Sequence, residues 1–177
     1  DRLDGQSGNR DIWLHDLARG TEQRLTFTGN NQWPVWSPDG LRVAYVRTPD
    51  PKVMVRAANG TGAEEILEAA QKAPMDWTRD GRFLVSATWV SNPKTGNDIW
   101  AMPLSRDSAS GGKTAGGDAA DRKPLPLRQT EFNEWHARVS PDGRWMAYMS
   151  NESKQNEVYV VGFPALNGKW QISANGG

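Results

Sequence analysis

The sequence predicts an all-β fold, a partial β-propeller of about three four-stranded antiparallel blades plus half a blade. Three observations predict it. A turn motif recurs as Trp36-Ser37-Pro38-Asp39-Gly40, as Trp77-Thr78-Arg79-Asp80-Gly81 and as Val139-Ser140-Pro141-Asp142-Gly143. An acid–aliphatic–aromatic element recurs as Asp11-Ile12-Trp13, Asp98-Ile99-Trp100 and Glu157-Val158-Tyr159, with a degenerate copy at Lys52-Val53-Met54-Val55. The 177 residues also hold 18 Gly, 11 Pro and 9 Trp, the composition of a turn-rich, aromatic β protein.

The two elements interlock. Asp11 to Asp39 is 28 positions, and Lys52 to Asp80 is again 28. Asp98 to Asp142 is 44, a surplus of 16. The surplus falls on residues 105–121, a Ser/Gly/Ala/Asp tract with no apolar period, expected to be a flexible insertion. Without it the repeat is forty-odd residues long, the length of a propeller blade.

Each element has a physical reason. In Ser-Pro-Asp-Gly, Pro presets φ for the second turn position, Asp suits the third, and Gly takes the positive φ that starts the returning strand. The motif is therefore a hairpin tip. The strand that follows alternates with period two, Val43 and Tyr45 against Ala44 and Val46, then Trp145 and Ala147 against Met146 and Tyr148. The acidic element opens a third strand. A Gly turn leads to a fourth, as in Gly20 before Gln23–Thr26 and Gly168 before Trp170–Ser173. Such a meander buries its faces only against a neighbouring blade, and the Trp side chains are expected to wedge between blades. The blades are placed at 33–69, at 74–130 with the insertion, and at 134–173. Residues 10–28 supply the outer two strands of an earlier blade. An arc of this size does not close a ring of four to eight blades. It is expected either to belong to a longer protein or to be completed by copies of itself through its open blade edges.

These motifs resemble the WD-like propeller repeats of TolB-type proteins. Residues 11–28 and 138–177 resemble more closely the C-terminal propellers of bacterial, acidobacterial-type membrane Ser/Thr protein kinases. The resemblance spans nearly the whole chain outside the insertion. Arg79 in place of the turn Pro, and Lys52 in place of the acidic strand opener, depart from the pattern. The resemblance implies a bacterial interaction or sensor module, downstream of a kinase domain and a membrane span, facing the periplasm or exterior. The same repeat also occurs in TolB-like partner-binding proteins and in the gating propellers of prolyl-oligopeptidase-type serine peptidases, which stay open as alternatives.

Composition excludes several functions. Lys plus Arg number 21 and Asp plus Glu number 21, so no basic surplus favours nucleic acid or an anionic membrane. The absence of Cys removes disulfides and thiolate chemistry. No run approaches the roughly 20 apolar residues of a membrane helix, so no direct membrane insertion is expected. Kinase catalytic motifs are missing, as is the Gly-x-Ser-x-Gly elbow of serine hydrolases. Gly112-Lys113-Thr114 lacks the first glycine of a phosphate loop, since Asp107 stands there. Gly60-Thr61-Gly62 reads as a turn. His15 and His136 are too few for a His-rich metal site. Asp39, Asp80 and Asp142 invite a calcium reading, but one per blade suits turn formation better. The chain is thus expected to be non-catalytic, with no cofactor and no metal.

One constellation points to binding. Asn31-Gln32-Trp33-Pro34 and Asn133-Glu134-Trp135-His136 both precede an innermost strand, at the mouth of a central channel. Gln32, Trp33, Asn133, Glu134, Trp135 and His136 are therefore candidates for holding a protein, a peptide or a small polar ligand. The alternative is that Trp33 and Trp135 plug the channel or pack between blades.

Overall fold

A computed structural model of the chain describes residues 1–3, 5, 8–68, 70–90, 92–104 and 123–177. The expected insertion at 105–121 lies outside the described residues. Among these residues there are sixteen strands and no helix. Three sheets are four-stranded antiparallel meanders. The first holds β5 (Asn30–Trp36), β6 (Arg42–Thr48), β7 (Lys52–Ala57) and β8 (Glu65–Glu68). The second holds β9 (Lys72–Trp77), β10 (Phe83–Thr88), β11 (Ile99–Pro103) and β12 (Leu125–Arg128). The third holds β13 (Glu134–Val139), β14 (Trp145–Ser150), β15 (Glu157–Gly162) and β16 (Lys169–Gln171). Ahead of them, β3 (Trp13–Asp16) pairs with β4 (Thr21–Arg24), and β1 (Arg2–Leu3) with β2 (Arg10–Asp11).

β1 is an addition to the two outer strands expected for residues 10–28. Arg2 pairs with Asp11 as Arg47 pairs with Lys52 and Ser150 with Glu157. Short strands such as this carry no periodic signal, and only the pairing reveals β1.

The hairpin tips are built alike. The Ser37 hydroxyl donates to Asp39 at 2.5 Å and accepts the Arg42 N–H at 2.9 Å, while Asp39 accepts the Leu41 N–H at 2.9 Å. Thr78 with Asp80, and Ser140 with Asp142, repeat these bonds. Gly40, Gly81 and Gly143 have φ of 71°, 74° and 70°, which a side chain would strain. The hydroxyl is the hub of the tip, so Arg79 replaces Pro without changing its geometry.

The core lies between sheets. Ala44, Val53, Val55 and Leu67 of the first meander pack on Trp77, Leu84, Met102 and Leu104 of the second. Val85, Ala87, Ile99, Ala101 and Leu127 of the second pack with Ala137, Met146, Tyr148, Tyr159 and Val161 of the third. Ile12 and Leu25 cover Val43, Tyr45 and Met54. Each fully buried Val, Leu, Ile or Met side chain contributes about 1.5–3 kcal/mol.

The expectation that Trp residues wedge between blades needs correction. Trp77 is buried; Trp89, Trp100 and Trp135 are half-buried; Trp13, Trp33, Trp36, Trp145 and Trp170 are exposed. The blade contacts are filled mostly by Val, Leu, Ala, Met and Tyr, which are smaller than an indole and fill the space between closely packed sheets.

Candidate functional site

The innermost strands of the three meanders, β5, β9 and β13, lie against one another in sequence order. Their outward-turned side chains therefore face a common axis. Two of these strands carry the same irregularity. Gln32 pairs with Val46 and Val35 with Ala44, so Trp33 and Pro34 bulge out of the ladder. Trp135 pairs with Met149 and Arg138 with Ala147, so His136 and Ala137 do the same. Trp33 and His136 share a φ of 54°. Left-handed backbone is uncommon for either residue type, and its occurrence at equivalent bulges marks the two positions as built.

This corrects the expected placement of the two clusters. They lie largely inside β5 and β13 rather than ahead of an innermost strand. Trp33 is matched by His136, not by Trp135. Counting back four residues from Ser37 and from Ser140 gives that register directly.

The six candidates have different surroundings. Trp33 is 44% exposed and meets Trp89, the residue after β10, with ring centroids 5.1 Å apart. Val90, next to Trp89, is exposed as well. His136 is exposed, its ring 5.9 Å from that of Trp135. Gln32 is half-buried within β5. Trp135 packs against the core shared by the second and third sheets. Asn133 is committed to the frame: its Oδ1 accepts the Asn97 N–H at 3.1 Å and its own N–H donates to Asn151 Oδ1 at 2.9 Å. Glu134 is fully buried, accepts the Thr130 hydroxyl, and donates its N–H to Asn97 O at 2.7 Å. Burial pushes the Glu134 carboxyl above the usual range, against the pull of the Thr130 bonds.

Sequence reasoning missed Trp89, Val90, Asp76 and Arg138. Asp76 Oδ2 accepts the Val139 N–H at 2.7 Å, and Arg138 donates to the Met75 carbonyl, which ties β9 to β13. Burial raises the Asp76 carboxyl, opposed by the Val139 N–H and by the nearby Arg138 guanidinium. Arg138 lies two residues after His136, across the bulge, and both are exposed.

Among the described residues no group of three or more His, Cys, Asp or Glu side chains is arranged to hold a metal ion. Asp39, Asp80 and Asp142 are each engaged by their own turn. The inner strands expose the Trp33 indole, with half-buried Trp89 against it, the His136 imidazole and the Arg138 guanidinium.

The fold is that of a TolB-type β-propeller, all-β and unclosed. Over 94% of this chain, the structure of a putative TolB from Agrobacterium tumefaciens superposes with a TM-score of 0.72 at 16% identity. TolB from Acinetobacter baumannii does so over 94%, with a TM-score of 0.69 at 15% identity. A chain of a nidogen/laminin complex matches over 93%, with a TM-score of 0.64 at 10% identity. The chain spans 57%, 38% and 59% of those three chains respectively. No family model matches it, and no curated protein does. At these identities the likeness concerns the fold.

Proposed function

We propose that this chain is a non-catalytic propeller module that binds a protein or peptide through the mouth of its inner strands. The observation that carries the reading is the paired bulge, which turns Trp33 and His136 outward at equivalent positions. Trp33 with Trp89 offers a rigid aromatic anchor of the kind that dominates interface energetics. The nidogen/laminin chain, a propeller-like relative in fold, comes from a protein–protein complex and supports the same reading.

The finer assignment, a sensor region of a bacterial Ser/Thr kinase facing the periplasm or exterior, is supported by the motif resemblance alone. A TolB-like partner-binding role is the second reading, favoured by the two TolB structures. Among the described residues no helix is long and apolar enough to cross a membrane. The parent reading frame separates these from a peptidase gate: kinase motifs upstream, a leader and no catalytic domain, or Gly-x-Ser-x-Gly downstream.

The binding reading is tested by selecting ligands from a displayed random peptide library on the wild-type chain. Selected peptides should lose at least about tenfold in affinity for Trp33→Ala and Trp89→Ala, the loss expected of an aromatic anchor. Peptides that bind both variants as well as wild type would move the site elsewhere.

A further inference from the structure

The repeat sets one side-chain position at each junction between sheets. Asn31, Lys72 and Glu134 stand six residues before Ser37, Thr78 and Ser140. The frame around the first and last of these is built alike. Asn30 Oδ1 accepts the Arg10 N–H at 3.0 Å, and Asn133 Oδ1 accepts the Asn97 N–H at 3.1 Å, so Glu134 faces Asp98 as Asn31 faces Asp11. At the first junction the chemistry is complementary. Asn31 Nδ2 donates to Asp11 Oδ1 at 3.3 Å, and Arg24 neutralises Asp11. Lys72 is matched too, by Glu68. Between the second and third sheets two acceptors meet instead. Both are buried, Asp98 3% exposed and Glu134 0%. Thr95 donates to Asp98 Oδ2 at 3.1 Å, and Thr130 donates to Glu134 Oε1. Asp98 Oδ1 and Glu134 Oε2 have no hydrogen-bond partner among the described residues.

Two facing buried carboxylates repel when both are ionised, and one proton between them supplies the missing donor. We propose that Asp98 and Glu134 share one proton across the seam between the second and third sheets, and that releasing it to solvent loosens that seam. The electrostatics agree: burial first, and Asp98 as a lesser cause, raise the Glu134 carboxyl. Arg128, two residues before Thr130 as Arg24 is before Thr26, attracts the Glu134 carboxylate, but one guanidinium offsets only one of two negative charges. Its Nη2 donates to the Tyr148 hydroxyl of β14 at 2.8 Å, and burial pushes that hydroxyl up to about 12, so it stays neutral. Glu152, beyond β14, is held by Lys169 at 2.7 Å. On β9, Lys72 pairs with Glu68 and Asp76 takes the Val139 N–H. The end of β10 presents the Thr88 hydroxyl, which accepts the Asp98 N–H at 2.8 Å. Beside the pair, the Glu134 N–H donates to Asn97 O at 2.7 Å, so repulsion acts on a backbone bond that joins β13 to the second sheet. The proton is held more tightly in the folded chain than in the unfolded one. Its stabilisation is therefore complete below the unfolded carboxyl value and lost as pH rises through the folded one. The seam does not depend on the binding reading above.

Carbon-13 NMR of the side-chain carboxyls in the unmodified chain reads the pair directly. One ionisation above the ordinary carboxylate range should move the Asp98 Cγ and Glu134 Cδ signals together, as coupled groups do. Between the unfolded and folded values, the opening constant of the Asn97 and Glu134 amides should rise about tenfold per pH unit, the slope set by one extra proton in the folded state. It is measured by hydrogen exchange, corrected for the intrinsic pH dependence of exchange. Asp98→Asn sets a permanent donor beside Glu134, the arrangement of Asn31 and Asp11 with the roles exchanged, and should remove that rise. A Glu134 raised by burial alone would titrate unchanged in Asp98→Asn, and that result would overturn the proposal. So would two carboxyls that ionise independently in the unmodified chain. A titration displaced by sodium or calcium would overturn it as well, because a cation would then stand in the proton's place.

Discussion

The Asp11 carboxylate accepts a hydrogen bond from the Thr26 hydroxyl at 2.8 Å, and that hydroxyl in turn accepts the Ile12 N–H at 2.9 Å. The clasp ties the opening of β3 to the end of β4. Glu157 and Ser173 repeat it at the third sheet, where the Ser173 hydroxyl donates to Glu157 and accepts the Val158 N–H at 2.8 Å. The acidic opener of the repeat is thus a closing device within a blade. At Asp11 it also reaches the next blade, through Asn31 at 3.3 Å. In the second sheet the device is rearranged: Thr130 donates to Glu134 instead, and Asp98 takes the Thr95 hydroxyl at 3.1 Å.

Removing the clasp should be costly. Asp11 is buried and also receives Arg24, so Asp11→Ala strands several polar groups together. We expect a loss of about 2–4 kcal/mol, read from the midpoint of urea unfolding. Asp11→Asn, which keeps an acceptor, should lose less.

The hairpin tips make a prediction of opposite sign. Arg79 occupies the position held by Pro38 and Pro141, and it is exposed. Arg79→Pro should stabilise the chain by about 0.4–1 kcal/mol, because it restricts the unfolded ensemble at a compatible φ. Ser140→Ala removes the hub of its tip and should cost about 1 kcal/mol. Paired denaturation curves check both.

The left-handed bulges predict a substitution pattern at His136. A β-branched side chain at φ 54° is a steric outlier, whereas Gly and Asn accept it. His136→Val should therefore destabilise by about 1–2 kcal/mol, while His136→Asn stays near wild type. Thermal unfolding of the two variants gives the comparison.

Acid stability should divide between two carboxyls of opposite character. The Arg47 guanidinium, then the Tyr45 hydroxyl, hold Glu64 below its ordinary range. Both donate to Glu64 Oε1 at 2.6 Å. Its contribution is present above the unfolded carboxyl value and lost as pH falls through the lower folded one. Glu134 is raised by burial, so its folded form holds a proton more tightly than the unfolded chain. Its effect is a loss of stability as pH rises from the unfolded value through the folded one. Glu64→Gln should flatten the acid limb of a stability–pH curve. Glu134→Gln should remove the decline on the rising side.

Much of the fold was readable from residues in order. The hydroxyl–Asp–Gly tips and the acidic openers depend on contacts across a few positions or on one clasp of fifteen residues, and local chemistry of that kind repeats visibly along a chain. The binding candidates were less readable. Asn133 and Glu134 looked available in the linear motif, yet they bond to Asn97, Asn151 and Thr130 and hold the second and third sheets together. Trp89 carried no motif at all, and only its approach to Trp33 gives it meaning.

The line between the two kinds of knowledge is physical. Turn chemistry, strand alternation and the forty-odd-residue period are local energies, so the order of residues dictates them without reference to neighbours. Whether an indole is buried is a property of what stands opposite. Trp77 and Trp36 share one repeat position, but Trp77 is covered by β6 and Trp36 opens onto a groove. That difference arises from which sheet packs on which, and it exists only once the blades are assembled.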